Sequence, residues 1–337
     1  MIRTFQKTAV IGGGAWGTAL ALTASSNGGD VVLWTYREEE ASVIRETRQS
    51  LCQVKGARLL PDNVMVTSSW DDVAGADLVI VVVPSVVMRS VAQSLAKAGL
   101  AENAVVVSCS KGIEKDTNML MSEILASELS CPVGALSGPN HAEDIVLGLP
   151  SLTLIGFEDP EIATAVQHRL STPFLRIYTT TDVTSMQIGG AIKNVFALAS
   201  GICAGLGLGD NARAALATRA LAEMTRLGMA KGGKMETFMG LSGMGDLVVT
   251  CYSEHSRNLT AGRMIAQGVP VDECQQRIGQ VVEGIPNTIS SYQLARKLGV
   301  RTPLTDAMYE ILYSGKPARQ ALEELMTRDL RPENVQD

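Results

Sequence analysis

The most constraining feature of this 337-residue chain is a glycine run held between two apolar segments. Residues 7–36, KTAVIGGGAWGTALALTASSNGGDVVLWTY, read as buried strand, glycine turn, alanine-rich helix and second strand. Gly12, Gly14 and Gly17 fall in the spacing G-x-G-x-x-G. At that spacing the glycines permit a tight turn, close approach of a pyrophosphate to backbone, and tight packing of helix on sheet. The helix N-terminus adds amide donors and the positive end of its dipole. A lone G-x-G-x-x-G is weak. Placed between strand and helix, with a second strand following, it specifies a dinucleotide-binding unit.

The segments that follow continue the pattern. VMVTSS (64–69), LVIVVVP (78–84), AVVVSCSKG (104–112) and PVGALSGPN (132–140) are apolar runs bounded by turn residues, with a helix around 117–129. Uninterrupted valine runs suit a parallel sheet covered on both faces. Ligands bind at strand C-terminal ends in such folds, where Pro84, Lys111 and the Ser137-Gly138-Pro139-Asn140 turn stand. SLTLIG (151–156), a helix near 159–170 and FLRIYTT (174–180) extend the sheet. Beyond about residue 183 the character turns helical, with helices expected over 183–206, 211–229, 256–267, 287–298 and 303–327. The expected fold is therefore an α/β N-terminal Rossmann-like doubly wound sheet, residues 1–185, followed by an all-α C-terminal domain, residues 186–337. The tail DLRPENVQD is expected to fray.

The second half carries one anomaly. VTSMQIGGAIKNVFALASGICAGLGL, residues 183–208, holds a single charged side chain, Lys193. Its apolar positions are spaced to face protein on most sides. Burying an ammonium without a partner is costly, so Lys193 either snorkels along its aliphatic stem or lines a cleft with anionic groups. Desolvation would lower its pKa and a nearby anion would raise it. The residues alone leave these alternatives even.

Composition excludes several classes. Lys and Arg total 29 against 35 Asp and Glu, a net charge of −6, which argues against nucleic-acid binding. Cys52, Cys109, Cys131, Cys203, Cys251 and Cys274 form no CxxC pair or zinc spacing and read as reduced thiols of a cytoplasmic protein. His141, His168 and His255 are scattered, so no metal site is expected. The N-terminus lacks the apolar run of a signal peptide. The 183–208 stretch is glycine-rich and interrupted by Lys193 and Asn194, so it reads as a buried helix with no membrane insertion. At the tip of the second strand Arg37 could pair with a 2′-phosphate and stack on adenine, where an NAD-preferring site usually has an acidic residue.

Eight segments in order now carry a resemblance: IGGGAWGTALA, LVIVVVPS, SKGIE, LSGPNHAED, GAIKNVFALASGI, NARAALATRALAEM, LSGMGDLVVTCYSEHSRN and VVEGIPNT. Together they resemble the bacterial NAD(P)-dependent glycerol-3-phosphate dehydrogenases over nearly the whole chain. The resemblance implies hydride transfer between sn-glycerol 3-phosphate and dihydroxyacetone phosphate, supplying the backbone for phospholipids. It implies catalytic roles for Lys193, as proton donor and acceptor at the C2 oxygen, and for Lys111 and Asp246. It implies cofactor contacts at Gly12, Gly14, Ala15, Trp16, Gly17, Tyr36, Arg37, Lys111, Ala142, Arg257, Val281 and Glu283. On the substrate side it implies Lys111, Gly138, Asn140, Lys193, Asp246, Thr250, Ser256, Arg257 and Asn258, with Ser256-Arg257-Asn258 as the phosphate segment. The cofactor expected is NADP(H) or NAD(H), NADP(H) favoured, and the partner a small phosphorylated substrate. A cytoplasmic homodimer is expected, its Gly/Ala-rich helices packing across the dimer.

Two positions depart from the family pattern. Asn140-His141 stands where Ser or Thr and Phe are common, and Tyr36 where a second arginine is common. Two other readings remain. The β-hydroxyacid and 6-phosphogluconate dehydrogenases join similar domains, but the contiguous Lys193-Asn194 pair and SEHSRN segment set this chain apart. A cofactor-binding redox sensor would have no use for Lys193, Lys111 and Asp246 as proton-transfer groups.

Overall fold

The computed structural model describes residues 2–51 and 54–333, so Cys52 and the end of the tail, 334–337, lie outside the described residues. Eight strands form one sheet: β1 Lys7–Ile11, β2 Asp30–Trp34, β3 Val64–Thr67, β4 Leu78–Val81, β5 Val105–Ser108, β6 Val133–Ser137, β7 Ser151–Gly156 and β8 Leu175–Thr180. Their order is β3-β2-β1-β4-β5-β6-β7-β8. The first six run parallel, as valine runs buried on both faces require. At β6–β7 the direction reverses, and β8 then runs parallel to β7. Both strands extend the sheet as expected; their direction is set by the connection that precedes them. The connection between β6 and β7 contains only the helix Ala142–Leu147, too short to carry the chain back to the far end of the sheet.

Apolar clusters cover both faces. One includes Leu20, Leu33, Ile44, Leu78, Ile80 and Phe157, and the other Ile11, Trp34, Val79, Met88 and Ile124. At the sheet's N-terminal edge the buried Asp77 carboxylate accepts the amides of Gln6 and Lys7 at 2.8 and 3.0 Å.

The chain divides into two compact units, residues 1–111 with 119–187, and residues 112–118 with 188–337. The division falls inside the 23-residue helix Val183–Gly205. That helix is long and apolar enough to cross a membrane, but 83% of its apolar window is buried within the protein. The second unit adds helices Gly209–Ala230, Asp246–Tyr252, Arg257–Ala266, Val271–Ile278, Gly284–Leu298, Pro303–Tyr313 and Ala318–Met326. The single helix expected over 303–327 is two, because Gly315 takes a φ of 70° and Pro317 begins the next helix. Helix Val271–Ile278 escapes the sequence reading.

Glu223 organises part of this unit. Its carboxylate, 2% exposed, accepts the Leu304 and Thr305 amides at 2.9 Å and the Thr305 hydroxyl at 2.6 Å. These are first-turn donors of helix Pro303–Tyr313, which no neighbour in that helix can satisfy. Burial pushes the Glu223 carboxyl above its usual range, opposed by those hydrogen bonds.

Candidate active site

In the first unit, the glycine turn sits where the strand order reverses, with β1 between β2 and β4. Gly12 has a φ of 126°, and its amide donates to the Trp34 carbonyl at 2.8 Å. A Cβ there would lie 2.1 Å from the Val82 carbonyl oxygen, and one at Gly17 would lie 1.8 Å from the Gly12 oxygen. Turn, helix start and the end of β4 are therefore nested with no room for a methyl group. A Cβ on Gly14 would meet no atom within 4 Å. Gly14 is the exposed N-cap of helix Ala15–Ser25, so backbone amides and helix dipole face outward without side-chain cover. This geometry fits a dinucleotide pyrophosphate. Ala15 and Trp16 occupy the first turn, partly buried against the core.

At the tip of β2, Tyr36 and Arg37 are exposed, and the Arg37 side chain has no ion-pair or hydrogen-bond partner among the described residues. The neighbouring Glu38 is held by the Ser68 hydroxyl at 2.7 Å and by Arg45. Those contacts keep its carboxyl below the usual range.

Beyond β5, the Ser110 hydroxyl donates to the Val83 carbonyl at 2.6 Å and accepts its amide at 3.0 Å, pinning the end of β4. The next side chain, Lys111, donates from Nζ to the Gly138 carbonyl at 2.9 Å. Asn140, two residues on, donates to the Leu152 carbonyl at 3.0 Å and accepts the Thr153 hydroxyl at 2.7 Å. Ala142 opens helix Ala142–Leu147 and is buried.

In the second unit, Lys193 is 7% exposed and Asp246 fully buried. The Lys193 ammonium donates to Asp246 Oδ1 and, at 2.8 Å, to the Thr250 hydroxyl. Thr250 in turn donates to the Asp246 backbone carbonyl at 2.6 Å. The even choice left by the sequence is resolved: Lys193 does not snorkel. Local chain geometry explains the meeting. Asp246 and Thr250 lie one helical turn apart on Asp246–Tyr252, and Gly189 lies one turn before Lys193. A Cβ at Gly189 would be 2.4 Å from the Ser242 carbonyl oxygen. Its absence lets the π-helical turn Leu241–Gly245 press against the long helix and deliver Asp246 to Lys193. Such π-turns recur at functional sites. The far end of Asp246–Tyr252 is held at the Cys251 carbonyl by Ser200 at 2.8 Å and Arg213 at 3.1 Å.

A second network adjoins the first through Asn194. Asn258 Nδ2 donates to Asn194 Oδ1, and Asn258 Oδ1 accepts the Gly284 amide, both at 2.9 Å. Arg257 is exposed and donates to the Val281 carbonyl at 3.0 Å. The Ser256 Oγ accepts the Leu259 amide at 3.2 Å as the cap of helix Arg257–Ala266, a bond that uses its oxygen and not its hydrogen. Glu283 stands at the N-cap of helix Gly284–Leu298.

The structure thus joins Lys193, Asp246 and Thr250; Arg257 and Val281; and Lys111 and Gly138. Among the described residues, the side chains of Trp16, Tyr36, Arg37 and Ala142 stand in no such hydrogen-bonded group. Ser110, Thr153 and Gly189 are site residues beyond those expected from the sequence. Only Ser110, one residue before a candidate lysine, carried a local signal. Among the described residues no cluster of His, Cys, Asp and Glu could hold a metal ion.

Two sequence models describing the NAD-dependent glycerol-3-phosphate dehydrogenase N-terminus and C-terminus match residues 7–163 and 182–323. A glycerol-3-phosphate dehydrogenase [NAD(P)+] of Geobacter sulfurreducens is 45% identical, covering 97% of this chain and 99% of that relative. That of Geobacillus kaustophilus is 43% identical, covering 97% and 96%. The crystal structure of the Coxiella burnetii glycerol-3-phosphate dehydrogenase superposes with a TM-score of 0.91 at 34% identity, covering 96% and 99%. Matched over residues 7–163 and 182–323, with the nested glycine turn in one unit and the buried lysine in the other, this chain belongs to the NAD-dependent glycerol-3-phosphate dehydrogenase family.

Proposed function

We propose that this chain interconverts sn-glycerol 3-phosphate and dihydroxyacetone phosphate with NAD(P)(H), supplying glycerol 3-phosphate for phospholipid synthesis. The observation that carries this reading is the buried Lys193–Asp246–Thr250 group in a chain of this family. An ammonium kept from water, with its direction set by two acceptors, suits proton transfer at a single oxygen.

When bound, NAD(P)H supplies a hydride to C2 of the ketone. Gly12, Gly14, Ala15, Trp16 and Gly17 would hold its pyrophosphate, with Lys111, Ala142, Arg257, Val281 and Glu283 as further cofactor contacts. Lys193 gives a proton to the C2 oxygen, becomes a neutral amine and is reprotonated from solvent. Asp246 and Thr250 hold the nitrogen on its line of transfer. Arg257, Asn258 and Ser256 bind the substrate phosphate, the guanidinium meeting its anionic oxygens through charge-assisted bonds. Lys111, Gly138 and Asn140 bind the rest of the substrate. The exposed, unpaired Arg37 beside Tyr36 supports a preference for NADP(H), since a 2′-phosphate would give that guanidinium its partner.

A homodimer is supported by a groove of about 820 Å³ in the second unit, lined by Leu216, Met308, Ile311 and Leu322. Met326 and Leu330 at its edge are 76% and 99% exposed, an apolar surface suited to a second copy. A cytoplasmic location agrees with five unpaired cysteines among the described residues.

The test is oxidation of NADPH and NADH measured in parallel with dihydroxyacetone phosphate. Substrate-dependent oxidation with a lower KM for NADPH is expected. No dependence on the ketone would sink the activity, and a much lower KM for NADH would sink the cofactor preference.

A further inference from the structure

Thr153 lies within β7, fully buried. The register of β6 and β7 pairs Ser137 with Leu154, so its next step sets Thr153 opposite Gly138. A Cβ on Gly138 would stand 3.0 Å from the Thr153 Cα and Oγ1. At a sheet position packed this tightly, valine would serve the core as well as threonine. A hydroxyl buried there is costly unless it is used.

It is used on the turn that follows β6. The Thr153 hydroxyl donates to Asn140 Oδ1 at 2.7 Å and leans toward the Ser137 carbonyl at 3.2 Å. The Leu152 carbonyl accepts one Asn140 amide hydrogen at 3.0 Å. A flip of the carboxamide would set two oxygens against each other at Leu152, so its orientation is determined. The other amide hydrogen has no partner among the described residues. Between the residues bonded to Thr153 lies Gly138, whose carbonyl receives Lys111 Nζ at 2.9 Å.

We propose that Thr153 is a positioning residue: its hydroxyl sets the Asn140 carboxamide and the Gly138 carbonyl, and through them the Lys111 ammonium, toward the substrate. The proposal rests on the reading above that Lys111, Gly138 and Asn140 bind substrate. It also accounts for asparagine at 140, whose carboxamide has an acceptor for the Thr153 hydroxyl and a donor for the Leu152 carbonyl at once.

The experiment compares Thr153→Val, which keeps shape and loses the hydroxyl, with Thr153→Ser, which keeps the hydroxyl. In Thr153→Val the KM for dihydroxyacetone phosphate should rise about tenfold, the effect of one lost hydrogen bond. Its kcat should fall a few-fold and its Kd for NADPH stay within about twofold. Thr153→Ser should recover to within about threefold of the parent enzyme. Unchanged kcat and KM in a folded Thr153→Val protein would overturn the proposal. Equal impairment of the valine and serine variants would do the same, because it would reduce Thr153 to packing. Thr153→Cys, similar in size with a weaker donor, is the second variant if valine does not fold, and an intermediate KM is expected. A readout free of the activity is the Asn140 side-chain amide resonance pair in ¹⁵N-labelled protein. It should move in Thr153→Val and stay in Thr153→Ser. If the parent enzyme shows no ketone-dependent oxidation, the function fails while this shift still decides the role of Thr153.

Discussion

The glycine turn of the first unit and the lysine site of the second solve opposite problems. At Gly12, Gly14 and Gly17 the chain removes side chains, so that backbone amides can meet a ligand and a helix can nest on a strand. At Lys193 it brings side chains together across 53 and 57 residues of sequence, with Asp246 and Thr250 bound to one buried nitrogen. The first site is written in six consecutive residues, which then nest against the ends of β2 and β4. The second exists only when two helices pack. A glycine turn is local in sequence, whereas the proton-transfer group proposed at Lys193 needs neighbours from several elements.

The sharpest break of this comparison is Lys193→Ala. It should lower kcat by about 10²–10⁴-fold, the usual range for a lost general acid, and leave the Kd for NADPH within about twofold. Stopped-flow turnover and a fluorescence titration check both halves, and a matching loss of cofactor affinity would mean the two sites are not separable.

Next comes a pair of glycines. Gly17→Ala forces a methyl group against the Gly12 oxygen and should cost about 1–3 kcal/mol of stability along with cofactor affinity. Gly14→Ala meets open space, so its stability should fall by no more than about 1 kcal/mol, the cost of a poorer N-cap. Its NADPH affinity should still drop. Urea titrations alongside binding curves tell the two apart, and identical stability losses would contradict the division of labour among the glycines.

The smallest effect lies away from both sites. Glu223 has a raised carboxyl in the folded state, so the folded protein holds its proton at pH values where the unfolded chain has released it. Its stability contribution is therefore fullest below the ordinary carboxylate range and declines as pH rises through the raised value. Glu223→Gln should flatten that part of the stability–pH curve, at the expense of the first-turn amides of helix Pro303–Tyr313. An unchanged slope in thermal melts across the acid range would remove Glu223 from the account. Cys251, pushed up to about 12 by burial, contributes no such slope below alkaline pH.

Much of the fold was legible because apolar runs and turn residues are local. The strand expected at 151–156 is found as Ser151–Gly156, and the helix near 159–170 as Pro160–Leu170. The reversal between β6 and β7 was not legible, since strand direction depends on where a short connection returns the chain. Nor was the π-turn at Leu241–Gly245, which reads as a glycine-rich loop until Gly189 packs against it. Thr153 gave no signal in an apolar strand, as its importance lies in facing the turn after another strand.

By itself the sequence determined a dinucleotide-binding turn, a mainly parallel α/β sheet and a helical second half, because periodicity and glycine spacing act within a few residues. The same local grammar marked Lys193 as anomalous without saying where its ammonium goes. Only the tertiary structure decided that, by packing a helix stripped of a side chain at Gly189 against the turn that carries Asp246. Burial of charge is a property of the packed state, and no stretch of sequence holds both partners.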